Sequence, residues 1–143
     1  MGKKSGYEDL QNGIRGFKMP AIEVFRNQYA DKEYTVQLSC PECTCLCPKT
    51  GLPDFATIHL TYVPDETCIE LKSFKLYLIG YRNVGIFHEN LVNKILEDVV
   101  AACAPRRVKV EGIVTPRGGI NTTVVAEYEK IAYRRQRSST RRV

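Results

Sequence analysis

The sequence predicts an α+β domain, an antiparallel sheet with two helices packed on one face, and three observations predict it. Residues 33–39, 56–63, 108–114 and 120–129 alternate apolar and polar side chains with the period of two of half-buried strands. Leu71, Phe74, Leu78 and Tyr81, and then Leu91, Ile95, Val99 and Ala102, recur at the steps of three and four that give a helix one apolar stripe. The resulting order, strand, strand, helix, helix, strand, strand, contains no repeat, and 143 residues supply one core rather than two.

Residues 1–32 are polar with scattered aromatics and no sustained period, so they are read as an extended arm ahead of a catalytic-size domain at 33–130. The first strand places Tyr34, Val36 and Leu38 on one face. Regularity is then expected to stop, because CPECTCLCPKTGLPDF carries Pro41, Pro48, Gly51 and Pro53 and reads as a shaped loop. The second strand puts Ile58, Leu60 and Tyr62 inward. Thr67-Cys68-Ile69-Glu70 has the spacing of a capping box, which predicts a helix from there to about Tyr81. RNVGIF leads into a second helix over 88–103, stopped by Ala104-Pro105. TPRGG, with Pro116, Gly118 and Gly119, reverses the chain between the last two strands.

Hydrophobic residues at 43% and charged residues at 26% are those of an ordinary globular protein and exclude wholesale disorder. No apolar run approaches the length of a membrane span and no signal-like segment opens the chain, so the expectation is a cytoplasmic protein without a membrane partner. The net charge of +5 comes from Arg134, Arg135, Arg137, Arg141 and Arg142, which leaves the rest neutral. A nucleic-acid-binding domain spreads its cations over a folded face. These sit in 131–143, read as a disordered solubilising tail, and no direct nucleic-acid contact is expected.

Four of the six cysteines, Cys40, Cys43, Cys45 and Cys47, crowd into one short segment, while Cys68 and Cys103 stand alone, unlike a disulfide framework. Cys40 and Cys43 have the C-x2-C spacing of a zinc knuckle. Structural zinc sites, however, draw ligand pairs from two separate segments, so no metal is assigned. CPKTGLPDF instead sets a thiol, Cys47, and a carboxylate, Asp54, at either end of a stiffened loop. Lys49 and loop amides can favour the thiolate, and Phe55 and Pro53 are expected to give Asp54 the apolar cover that a proton donor needs. Lys72 and Lys75 project from the same side of the first helix, as a phosphate grip or a solvated face, and Arg117 offers the same alternatives. Phe87, His88 and Glu89 open the second helix. They suit a purine-like ring and edge, and an acid there equally opposes the helix dipole.

CLCPKTGLPDFATI, ELKSFKLYL, YRNVGIFHE and TPRGG, taken together and in this order, resemble the 7-cyano-7-deazaguanine reductases of queuosine biosynthesis over roughly residues 33–128. The resemblance implies the tunnelling fold, whose units assemble as homo-oligomers into a barrel with sites at subunit interfaces. It implies NADPH as cofactor and a small deazapurine as substrate. Cys47 then adds to the nitrile carbon as a covalent thioimidate and Asp54 protonates nitrogen. Ile69, Glu70, Leu71, Phe87, His88 and Glu89 hold the base, and Lys72, Lys75 and Arg117 face the cofactor phosphates. Two other readings are carried forward: an archaeal amidinotransferase relative acting on the same nitrile within transfer RNA, and a zinc-stabilised RNA-binding module built on the cysteine cluster.

Overall fold

The computed structural model describes residues 2–141; Arg142 and Val143, the end of the predicted tail, lie outside the described residues. Four antiparallel strands, β2 (Val36–Leu46), β3 (Pro53–Val63), β5 (Arg107–Arg117) and β6 (Ile120–Glu129), form one sheet in the order β2-β3-β5-β6. A separate pair joins β1 (Val24–Arg26) to β4 (Thr67–Ile69). Helices α1 (Leu71–Ile79) and α2 (His88–Cys103) cover the inner face of the sheet, and α3 (Ile131–Thr140) follows β6.

Alternation builds the core as the sequence predicts. Ile58, Leu60 and Tyr62 of β3 and Val108 and Val110 of β5 are buried against Leu91, Ile95 and Val99 of α2. Each such side chain contributes roughly 1.5–3 kcal/mol by leaving water. Gly112 of β5 lets α2 approach closely, since a Cβ there would lie 2.6 Å from Val92 Cγ2. Gly118 and Gly119 both adopt positive φ, the geometry of a tight hairpin turn whose twist matches its strands.

Four local expectations are corrected. β2 does not end at residue 39: it runs on to Leu46 through a register shift between Cys40 and Cys43. It is an edge strand, so Pro41 falls in a bulge and removes no ladder hydrogen bond that the sheet needs. Thr67 is not a helix cap, because Thr67, Cys68 and Ile69 are drawn into a strand against Arg26, Phe25 and Val24 of the arm. Glu70 is the cap, its carboxylate accepting from the Lys72 (2.9 Å) and Ser73 (2.7 Å) amides, and those bonds hold its pKa below the usual value. In α1, Phe74, Tyr77 and Leu78 turn inward, whereas Leu71 of the expected stripe is exposed. The tail is helical from Ile131 because Tyr133 is buried and bonds Glu33, while Arg137 pairs with Glu129 at 2.8 Å. Among the described residues no helix is long and apolar enough to cross a membrane.

Candidate active site

The bulged extension of β2 and the early start of β3 reduce the expected long loop to a tight connection over residues 47–52. Its ends are tied by Cys47 N–H to Leu52 O (2.8 Å) and Gly51 N–H to Cys47 O (2.9 Å), and Gly51 takes φ +69° to make the turn. Closure gathers donors around sulfur. The Thr50 hydroxyl, then the Thr50 and Lys49 amides, hold the Cys47 thiol below its ordinary pKa, while the nearby Asp54 carboxylate opposes them.

Asp54 pairs across the sheet with Cys45 and is buried. Its cover is not the expected one: Phe55 and Pro53 are both exposed, because neighbours on a strand point to opposite faces. An imidazole and a guanidinium lie against the carboxylate instead. His88 Nε2 is 3.5 Å from Asp54 Oδ2, and an Arg117 guanidinium nitrogen is 3.3 Å from Oδ1. Arg117 reaches there from the Gly118–Gly119 hairpin, also donating to Pro53 O, so in one copy of the chain it rests on Asp54. His88 Nε2 is itself buried and has no hydrogen-bond partner, an unspent polar atom beside the carboxylate.

The other thiols behave differently. Burial pushes Cys43 and Cys45 up to about 12, assisted by neighbouring thiols at Cys43 and by Asp54 at Cys45. The four clustered thiols do not converge. Among the described residues the group that could hold a metal ion is Cys45, Asp54 and His88, with donor atoms within 4.8 Å of one another.

Phe87 and Glu89 flank His88 at the start of α2, whereas Ile69, Glu70, Leu71, Lys72 and Lys75 lie elsewhere in the same copy. Thr67 Oγ1 donates to Cys103 O (3.1 Å) at the last residue of α2, whereas His88 is its first. A helix of 16 residues is about 24 Å long. Ile69, Glu70 and Leu71, together with Lys72 at the start of α1, are therefore near the far end of α2 from His88. Tyr77 Oη donating to Asp98 (2.5 Å) shows α1 running back along α2, with Lys75 ahead of that contact. Ile69 is buried in the core, while Leu71, Lys72 and Lys75 are exposed and, among the described residues, the two lysines enter no ion pair. Sequence reasoning missed one contributor, the arm residue Gln11, which bonds the turn before His88. The signal for it was the lack of any capping side chain in GIFHEN.

The pattern of the family described as "QueF-like protein" matches residues 53–133. A protein of Elusimicrobium minutum named NADPH-dependent 7-cyano-7-deazaguanine reductase is 53% identical over 113 residues, covering 79% of this chain and 85% of its own length. One of the same name from Chlorobaculum tepidum is 56% identical over 109 residues, covering 76% and 93%. Among solved structures, the archaeosine synthase QueF-Like in its apo form superposes with a TM-score of 0.63 at 30% identity, covering 68% of this chain and 95% of that one, which fixes the sheet-and-helix unit as the tunnelling fold. On the matched stretch and on these identities, the chain belongs to the QueF-like family.

Proposed function

We propose that this protein is an oxidoreductase that uses NADPH to reduce the nitrile of 7-cyano-7-deazaguanine to the primary amine, 7-aminomethyl-7-deazaguanine, in the cytoplasmic synthesis of queuosine for transfer RNA. The observation that carries the reading is a donor-lined Cys47 beside a buried Asp54, in a chain more than half identical to reductases of that name. The amidinotransferase reading draws only on the more distant structural neighbour, and ELKSFKLY keeps both lysines that the reductase resemblance requires. The zinc-module reading is not favoured, since among the described residues the candidate metal group is Cys45, Asp54 and His88 rather than the four thiols.

The chemistry follows from the residues. Cys47 thiolate attacks the nitrile carbon, one carbon–nitrogen π bond breaks, and the proton from Asp54 goes to nitrogen, leaving a thioimidate. Covalent addition turns a poor acceptor into a polarised carbon–nitrogen double bond. NADPH, when bound, supplies one hydride to that carbon and a second to the imine formed after Cys47 departs. Across both reductions the chain returns sulfur to thiolate, and two protons reach nitrogen by way of Asp54, so a nitrile becomes an amine. Arg117 holds the carboxylate by an ion pair of 3.3 Å. His88, with its unpaired Nε2, and Glu89 hold the polar edge of the base, and Phe87 lies against its plane.

Lys72 and Lys75 suit the cofactor: two exposed ammonium groups without acidic partners match the phosphates of NADPH. Arg117, about half exposed above Asp54, completes the cation set. The lysines, with Ile69, Glu70 and Leu71, reach the reacting sulfur only from a neighbouring copy, because α2 separates them from their own Cys47. We therefore assign a homo-oligomer with shared sites. The unpaired edges β2 and β6, and the exposed apolar side chains Phe55, Ile113 and Val125 on the free sheet face, support closure of the sheets into a barrel.

NADPH oxidation with the cyano base tests the reading. Two cofactors consumed per base, and an intact-mass increase of one whole substrate when the nitrile is added alone, are expected. Zero consumption overturns it.

A further inference from the structure

We propose that the N-terminal arm is part of the active site, with Gln11 the positioning residue for His88 and Glu89 and Tyr7 the clasp that holds the arm in place; this rests on the reductase reading above. Helix α2 opens without a cap of its own, since Phe87 precedes it and no side chain of its own sequence accepts a first-turn amide. The acceptor comes instead from the far end of the chain. Gln11 Oε1 accepts from Phe87 N–H (3.1 Å) and from Asn90 Nδ2 (2.8 Å), and Gln11 Nε2 donates to Gly85 O (3.2 Å).

His88 and Glu89 thus stand between two residues bound to one oxygen atom. Both polar atoms of the Gln11 amide bond this turn, and Nε2 also donates to Leu10 O (3.1 Å) within the arm. Tyr7 adds a second hold: its ring centroid is 5.4 Å from that of Phe87, and the Lys49 ammonium lies 4.7 Å from the Tyr7 ring. Lys49 is two residues beyond Cys47, so the arm touches both the nucleophile's loop and the turn that presents the base-binding pair. Such a clamp matters because a shift of about 1 Å in a positioned group costs about 10²-fold in rate. The arm precedes the stretch that carries the family pattern, residues 53–133, and its role is not legible from that pattern.

Gln11→Met keeps side-chain length and removes the three bonds to this turn together with the local one to Leu10 O. We expect the KM for the nitrile to rise about tenfold, equal to about 1.4 kcal/mol, with the KM for NADPH and the Tm near those of the parent. Amide exchange in residues 84–91 should quicken in the same variant. Gln11→Glu, which keeps both acceptor contacts, should bring the nitrile KM most of the way back. An unchanged nitrile KM with unchanged exchange overturns the proposal. So does an equal rise in both KM values with a fall in Tm, the mark of simple fold support. If the parent protein consumes no NADPH, the reductase reading fails, and exchange at 84–91 still decides whether Gln11 positions the turn.

Discussion

At its first turn α2 presents His88 to Asp54, beside the loop that shapes Cys47; at its last residue, Cys103, it accepts a hydrogen bond from Thr67, on the strand that leads into Glu70, Lys72 and Lys75. One end is furnished for covalent chemistry, with a depressed thiol, a buried carboxylate and an unpaired imidazole nitrogen. The other offers exposed cations and an exposed Leu71, while its thiols, Cys68 and Cys103, are buried. A helix of 16 residues, about 24 Å long, keeps them apart, so the proposed site would be split between the two ends of one chain. On the proposed reading, the difference teaches why the two ends would be brought together by a neighbouring copy of the chain.

The heaviest blow to the chemical end is Cys47→Ala, which should lower turnover by on the order of 10⁵-fold and abolish the substrate mass adduct, because no second thiol stands in the 47–52 loop. Asp54→Asn should cost about 10²–10⁴-fold in kcat while the nitrile still binds, as expected for loss of a proton donor. Wild-type turnover by either variant would remove the assignment. The separation of the ends is tested by mixing. Cys47→Ala protein and Lys72→Ala/Lys75→Ala protein, each impaired alone, should regain activity when unfolded and refolded together, since some interfaces then pair an intact thiol with intact lysines. Recovery no greater than the sum of the parts would mean that each copy works alone.

Smaller effects concern pH. The sulfur reacts as thiolate, so adduct formation should fall as pH drops through the Cys47 pKa, which lies below that of an ordinary thiol. Removing the hydroxyl that leads this effect, by Thr50→Val, should move the fall-off to higher pH. Cys45, pushed up to about 12, should resist alkylation at the pH where Cys47 reacts. The least selective change is Gly112→Ala, which must displace Val92 and should destabilise the fold by about 1–3 kcal/mol. Its Tm loss should report core packing, since Gly112 meets Val92 one turn into α2.

The sequence showed the α2 limits, 88–103, because a stripe of Leu91, Ile95 and Val99 ends at Ala104-Pro105. It showed the inward faces of β3 and β5 for the same reason, as burial of alternating side chains is a local pattern with a fixed period. It misplaced β2 and the start of α1, where the deciding partners are remote. Pro41 is tolerated only because β2 lies at an edge, and Thr67 leaves the helix only because the arm supplies a strand. The tail was misread because a single aromatic, Tyr133, anchors a run of arginines.

Residue chemistry and spacing by themselves singled out Cys47 and Asp54 as candidates and carried the family motifs, because each lies within a few residues of chain. Tertiary structure alone decided that Arg117 rests on Asp54, that His88 is left with an unpaired nitrogen, that Gln11 reaches the turn before it, and that the lysines fall at the opposite end of α2. These facts depend on distances between segments far apart in the chain. Such distances are set by packing and by helix length, which no local pattern encodes.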